Sequence, residues 1–569
     1  MERAHGGACT PDNVTARTRF AQAAALLLAA LAVSLAIGPM PAFGQEPAVS
    51  EALPPFRTDP ALPSTIVLNP GQGLGQCHWL DPQILAVPYV GWAYDASPTT
   101  SGWSSVEPQD GVFNWGPLDA EIAKARNLGR RVWIQLLTTE GLTPEWARGA
   151  GVELVGSRGG TPVPWNEKYQ RLLRRAVHAM AARYDEDPTV DAVNIMAGGC
   201  YGEMTICAPE ADRDAWERAG YTNDKFIAAT KQIIDIYLEQ DHEWEDGSHT
   251  LGFLKKPVVL QLGAGLYGHT TVVVAPVVEY AISTYGMRVW LKYNGYGGGY
   301  DMGWLYRQYE TATRVGYEPA GNSPDFLRNP KKYVRLALEQ HASYLCLQSA
   351  YFEVADQNWL EARELAARYL GAQIAILGAE APAAVEAGKD FRFVTAWENR
   401  GTAPLVRAQR QGIRDVPASY SVQVSFVDPA TNQAVYDHLF TPDPPTTNWY
   451  SAQAITLETQ IPIPSFVPSG DYDLRVGLIN PGVSAQDDTQ RFRLLNISLH
   501  DGSGRYTVGR VKVLNTTPPP PTPTPVVVPT ATASPTPGVP PGPGGPGDWF
   551  KRLVQMLREC LRRLLRVFQ

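Results

Sequence analysis

The chain has 569 residues, enough for two or three domains with a large core. Its 44% hydrophobic and 19% charged content is ordinary for folded protein. A formal net charge of −8 argues against a nucleic-acid surface.

Arg17 and Arg19 precede an uncharged apolar run from Phe20 to Ile37, and Ala42-Phe-Gly44 supplies small residues for cleavage before Gln45. Residues 1–44 are thus predicted to be an export signal. The run approaches a short membrane span in length. Gly38 and Pro39 break it, which favours cleavage over an anchor. The mature chain is expected to be secreted or held at the cell surface. Of six cysteines, Cys77, Cys200, Cys207, Cys346 and Cys560 then remain. Cys200 and Cys207 are candidates for a short disulfide loop, with free thiols the alternative. No spacing calls for a metal ion or another cofactor.

From residue 60 to 370, apolar runs alternate with amphipathic stretches. The predicted strands are Thr65–Leu68, Ile84–Tyr89, Val132–Leu137, Val190–Met196, Val258–Leu262, Arg288–Tyr293, Arg314–Tyr317 and Tyr344–Leu347. Helical patterns cover Lys168–Arg183, Lys225–Leu238, Val273–Tyr285, Lys331–Gln340 and Trp359–Tyr369. Alternating β and α with near-continuous apolar strands implies a parallel sheet covered by helices. Eight such units suit a closed (β/α)8 TIM barrel, an α/β fold. The alternative α/β arrangement, an open doubly wound sheet, lacks its glycine-rich nucleotide turn here.

Residues 371–514 change character. Gln373–Leu377, Phe391–Glu398, Ser419–Phe426, Ala454–Thr459, Tyr472–Leu478 and Phe492–Ile497 are short β-rich runs separated by Pro, Gly, Asn and Asp, which predicts an antiparallel β-sandwich. Residues 515–547 are a Pro/Thr-rich linker that cannot bury a core. In residues 548–569, Phe550, Leu553, Leu557, Leu561 and Leu564 share a helical face, and Lys551, Arg552, Arg558, Arg562 and Arg566 form much of the other. A basic amphipathic helix predicts attachment to an anionic surface or a partner helix, or docking on its own chain.

One segment carries a resemblance. Trp103-Ser-Ser-Val-Glu107-Pro108-Gln-Asp-Gly111-Val-Phe113-Asn-Trp115-Gly-Pro-Leu-Asp119 leads through Arg131–Leu137 to Thr143-Pro144-Glu145-Trp146. It resembles the barrels of glycoside hydrolases, above all the family 42 β-galactosidase type. Trp397-Glu-Asn-Arg-Gly401 and Pro468-Ser-Gly-Asp-Tyr-Asp-Leu474 resemble a secreted bacterial family whose C-terminal module is known as domain of unknown function 4832. The resemblance implies a carbohydrate substrate or ligand and a site at the C-terminal ends of the barrel strands.

Glycosidic hydrolysis commonly takes two carboxyl groups. Glu203, in Gly198-Gly199-Cys200-Tyr201-Gly202-Glu203 after the fourth strand, is the expected general acid/base. Its glycines would let backbone approach a ligand closely. The families' Asn-Glu dipeptide is missing: Glu203 lies nine residues beyond Asn194. Glu318, before Pro319 at the end of the seventh strand, is the expected nucleophile. Rival acids are Glu107, structural in the look-alike families, and Glu145, Asp301 and Glu353 near the rim. Trp92, Tyr94, Trp146, Tyr293, Asn294, Trp304 and Gln348 are the expected sugar-binding residues, and His269 is a weaker candidate. The competing function is a non-catalytic carbohydrate-binding or cell-surface protein on a degenerate barrel.

Overall fold

The computed structural model describes residues 66–515 except 78–79, 140, 157–159, 200–201, 207–209, 263–269, 297–302, 320–323, 452 and 483–490. The export signal, the Cys200–Cys207 pair, His269, Asp301, the linker and the basic tail lie outside the described residues. No helix among them is long and apolar enough to cross a membrane.

Eight strands close a barrel: β1 (Gly73–Cys77), β2 (Val90–Tyr94), β3 (Arg131–Gln135), β4 (Val190–Ile195), β5 (Val258–Gln261), β6 (Val289–Tyr296), β7 (Val315–Pro319) and β8 (Tyr344–Gln348). Each pairs in parallel with its sequence neighbours, and β8 closes on β1. The period of two in a strand decides which residues face which way. Val132, Ile134, Val193, Ile195, Val258, Leu260, Val289 and Leu291 join the core shared with the outer helices. The residues between them, Trp133, Ala192, Val259 and Trp290, pack with Trp92 and Tyr344 in a separate interior cluster.

The interior cluster plugs the barrel with aromatic rings. Trp92 stacks on Trp133 with centroids 3.7 Å apart and planes 8° apart. Tyr344 meets Trp133 edge-on at 5.0 Å, and Trp290 lies 5.8 Å from Trp133. Two glycines make room: a Cβ at Gly75 would lie 2.2 Å from the Trp92 ring, and one at Gly316 would lie 2.0 Å from the Tyr344 ring.

Six strand expectations match the barrel closely; the first two are corrected. Thr65–Leu68 lies outside or ahead of the first strand, which is the glycine-containing β1. In place of a strand at Ile84–Tyr89 there is a short helix, Pro82–Leu85, followed by β2. Asp81 caps that helix by accepting from the Gln83 N–H at 2.8 Å, and Pro82 opens it.

The second region holds two sheets. One comprises β9 (Ile374–Glu380), β11 (Asp390–Asn399) and β16 (Ala454–Pro462), all antiparallel. The other is built on β14 (Ser421–Asp428), β15 (Gln433–Phe440), β17 (Gly470–Ile479) and β19 (Tyr506–Leu514), with β10 (Ala384–Glu386) and β18 (Arg491–Phe492) at its margins. Phe391, Phe393 and Trp397 from one sheet pack with Val424, Phe426, Leu474 and Val476 from the other, which makes the sandwich core. Phe492–Ile497 is corrected: only Arg491–Phe492 is strand.

A hairpin, β12 (Arg407–Gln411) and β13 (Arg414–Ala418), ties the sandwich to the barrel. Met287 N–H donates to the Asp415 carbonyl at 2.8 Å. The buried Arg288 guanidinium donates to the Ile413 carbonyl at 3.0 Å. Gln72 bonds both the carbonyl and the N–H of Ala372, at 3.0 and 3.1 Å. Gln72 precedes β1, and Met287 and Arg288 precede β6. The sandwich therefore docks at the N-terminal end of the barrel.

Candidate active site

Above the aromatic plug, every barrel strand presents one inward residue of a different kind: Cys77, Tyr94, Gln135, Asn194, Gln261, Lys292, Glu318 and Cys346 from β1 to β8 in turn. Contacts between strands that are not neighbours establish the direction. The Tyr94 hydroxyl on β2 donates to Glu318 Oε2 on β7 at 2.8 Å, across the interior. Lys292 Nζ lies 2.5 Å from the same oxygen and donates to the Tyr94 hydroxyl at 3.2 Å. Lys292 also sits 4.4 Å from the centre of the Tyr94 ring.

Glu318 is 3% exposed and Lys292 is fully buried. Burial by itself would push the Lys292 ammonium down, but the facing Glu318 carboxylate holds it above the ordinary lysine range. Tyr94 is pushed well up, first by burial and then by Glu318. It therefore stays a neutral donor. A buried carboxylate with a charged and a neutral donor on one oxygen is held in a single orientation.

The expected nucleophile is thus at the C-terminal end of β7, in a low-dielectric setting. Cys77 and Cys346 lie beside the carboxylate: their sulfurs and a Glu318 oxygen all fall within 4.8 Å of one another. That donor set fits a soft cation in composition. Burial raises both thiols, so they stay protonated, and the Lys292 ammonium occupies the carboxylate. Both effects oppose a cation here.

Glu203 is half-buried in a short strand, Glu203–Thr205, beside Gly198–Gly199 in the segment after β4. The glycines before it serve the chain itself. At Gly199, φ is +75° and a Cβ would lie 2.1 Å from the Thr205 carbonyl oxygen. Close approach there is backbone to backbone, which replaces the expected approach to a ligand.

The binding residues divide. Tyr94 and Asn294 are at the site: Asn294 Nδ2 donates to Gln261 Oε1 at 2.7 Å. Gln348, half-buried, ends β8 beside Cys77. Two expectations are corrected. Trp92 is mid-strand and 1% exposed, with one face on Trp133, because the inward position it occupies is one layer too low. Tyr293 points outward, packing near Tyr306 and Tyr317 in the helix-covered core, because it follows the inward Lys292 by one residue.

Trp146 is committed to structure on several sides. Its indole N–H donates to the Glu107 carbonyl at 2.9 Å, Trp103 meets it edge-on, and Arg175 lies 5.2 Å from its centre. Trp304 belongs to the helix Gly303–Arg307. Glu107 is buried and accepts from Trp103 Nε1 at 2.8 Å, from the Gly111 N–H at 3.0 Å and from Arg175. It organises the loop, as its structural reading implies. Glu145 and Glu353 are exposed.

The residues missed in the sequence are Lys292, Gln135, Asn194 as a site residue, Gln261 and the Cys77–Cys346 pair. Their signal was available. Each is a polar or sulfur residue on the inward register of a strand whose other residues are almost all apolar, as in Val258-Val-Leu-Gln261 and Val289-Trp-Leu-Lys292.

No protein-family model matches the chain, and no curated protein sequence does. Among solved structures, it is similar to the β-galactosidase of the psychrophilic Marinomonas ef1 at 15% identity over 52% of the chain, with a TM-score of 0.34. It is likewise similar to a psychrophilic glycoside hydrolase family 10 endo-β-1,4-xylanase, at 14% identity over 52% of the chain and 97% of that enzyme, TM-score 0.31. A third is the β-galactosidase of Rahnella sp. R3, at 13% identity over 56% of the chain and 60% of that enzyme, TM-score 0.27. The chain spans 59% of the length of the Marinomonas enzyme.

Proposed function

We propose that this is an exported glycoside hydrolase, with Glu318 as nucleophile and Glu203 as general acid/base. The observation that carries the reading is Glu318 itself. It is buried at the C-terminal end of β7, with Lys292 and Tyr94 on one oxygen. A nucleophilic carboxylate must be ionised and aimed, and a buried ammonium beside a neutral phenol favours both. Glu203 comes from the segment after β4, within the ring of loops that forms the mouth of such barrels.

Carboxyl groups about 5 Å apart in the substrate complex give retention, and about 6.5 to 9.5 Å give inversion. The test is turnover of aryl-glycosides by Glu203→Gln and Glu318→Gln, with the product anomer followed by proton NMR. Loss of turnover in both variants supports the roles; full activity in either removes that residue from the mechanism.

The second reading is a carbohydrate-binding protein without turnover. Its specific support is the same ion pair, since an ammonium bonded to the carboxylate lowers its nucleophilicity. Binding of a glycan with no hydrolysis by the unaltered protein selects it. In either case the basic tail, residues 548–569, is proposed to hold the protein at an anionic surface or partner helix. Deleting it then changes location and leaves sugar binding intact.

A further inference from the structure

Among the described residues, three amide atoms along one wall of the barrel have no hydrogen-bond partner: Asn194 Oδ1 on β4, Gln261 Nε2 on β5 and Asn294 Oδ1 on β6. Asn194 and Gln261 are fully buried, and Asn294 is half-buried further along its strand toward the mouth. A buried polar atom without a partner is destabilising, and folded proteins hold few of them. Three on consecutive strands need a cause.

Their chemical identity is constrained. Gln135 Nε2 donates to the Asp95 carbonyl at 3.1 Å, and a backbone carbonyl only accepts, which orients the Gln135 amide. Gln135 Oε1 then accepts from Asn194 Nδ2 at 2.9 Å. The loose atom of Asn194 is therefore an acceptor. Asn294 and Gln261 bond each other at 2.7 Å. Whichever way that pair is turned, it leaves one donor and one acceptor. The row ends beside the candidate nucleophile, since Asn294 and Glu318 are register partners.

We propose that Asn194, Gln261 and Asn294 form a subsite for adjacent hydroxyls of an uncharged sugar. A hydroxyl both donates and accepts, so neighbouring hydroxyls can satisfy two acceptors and a donor together. A carboxylate only accepts and would leave both oxygens of the wall facing it. The charged side chains of the inward ring are Lys292 and Glu318, one of each sign and bonded to each other, so no unpaired cation calls for an acidic group. This assignment rests on the carbohydrate reading above and narrows it to neutral glycosides.

The test uses the full chain and binding, so that it does not depend on turnover. Methyl β-glucoside, methyl β-galactoside and methyl β-xyloside are titrated by calorimetry or saturation-transfer NMR against methyl β-glucuronide. At least one neutral glycoside is expected to bind more tightly than the glucuronide. Gln261→Leu and Asn194→Leu are each expected to weaken that binding by roughly tenfold to a hundredfold, as for a lost buried hydrogen bond. An unchanged melting temperature shows that each variant folds; where one does not, Asn294→Ala at the half-buried end of the row replaces it. Glucuronide binding as tight as that of the neutral sugars overturns the proposal. So does binding unaffected in every folded variant, or no binding by any of the four, which would mean that the amides are satisfied by water alone. Neutral-sugar binding that depends on Gln261 in a protein without turnover keeps the subsite and removes the hydrolase.

Discussion

Replacing Lys292 with Met tests the electrostatics on which Glu318 depends. The substitution keeps the unbranched stem, one atom shorter, and removes the charge from a fully buried position. Glu318, 3% exposed, then faces Tyr94 without the ammonium now 2.5 Å away. A buried carboxylate in that position takes up a proton on folding. At pH 7, protonating a glutamate of unfolded pKa about 4.3 costs about 1.4 kcal/mol for each of 2.7 pH units, or about 3.7 kcal/mol. At pH 5 the same product is about 1 kcal/mol.

The sign follows from proton counting. In the variant the folded state binds one more proton than the unfolded chain above pH 4.3, so its stability rises as the pH falls. The expected destabilisation is therefore roughly 3–4 kcal/mol at pH 7, shrinking to about 1 kcal/mol at pH 5. Urea unfolding at both pH values, followed by tryptophan fluorescence and far-UV circular dichroism, measures it. The double variant Lys292→Met/Glu318→Gln removes the buried acid and should recover most of the loss at pH 7. Equal losses at pH 5 and pH 7, or no recovery in the double variant, would refute the reasoning.

Other outcomes follow from particular contacts. Gly75→Ala puts a methyl 2.2 Å from a Trp92 ring already stacked on Trp133, so it should cost at least about 1–3 kcal/mol in melting experiments. Asp501 is held well below the usual carboxylate range: burial opposes this, but Ser503, Arg475 and Arg505 outweigh it. That stabilisation is present above an unfolded pKa of about 3.9 and is lost as pH falls further. Asp501→Asn, which removes the carboxylate shared by Arg475 and Arg505 while Arg475 keeps its bonds to Asp473 and Asn432, should cost roughly 1–3 kcal/mol at pH 7, with the gap from the unaltered protein closing in acid unfolding below about pH 4. Gly286→Ala, with φ at +57° and a Cβ 2.0 Å from the Asp415 carbonyl, should loosen the β12–β13 hairpin from the barrel. Faster amide exchange at Met287, whose N–H donates to that carbonyl, would report it.

The barrel was legible where strands are continuous apolar runs, from Val132 to Leu347, because burial on both faces leaves that pattern. It was misread where interior crowding overrides propensity. Gly73-Leu-Gly-Gln-Cys77 does not look like a strand, since glycine weakens one. Yet Gly75 is small because Trp92 fills the barrel beside it. In the site, Glu318 and Tyr94 were found by their positions at strand ends. Lys292 and Gln261 were not, because an apolar strand draws attention to its apolar residues. Counting register from the chain alone would have turned Tyr293 outward and Lys292 inward. In the sandwich, Gln433–Phe440 and Tyr506–Leu514 went unmarked, although both pair with strands that were recognised.

The parallel indoles of Trp92 and Trp133 have one more consequence. Two indoles this close couple their excited states, so their near-ultraviolet dichroism depends on the packing that holds them 3.7 Å apart. That signal is a label-free gauge of the barrel interior: it should persist in folded variants with substitutions at the mouth and change in Trp133→Phe, so that a silent mouth variant can be told from a collapsed one in a single spectrum.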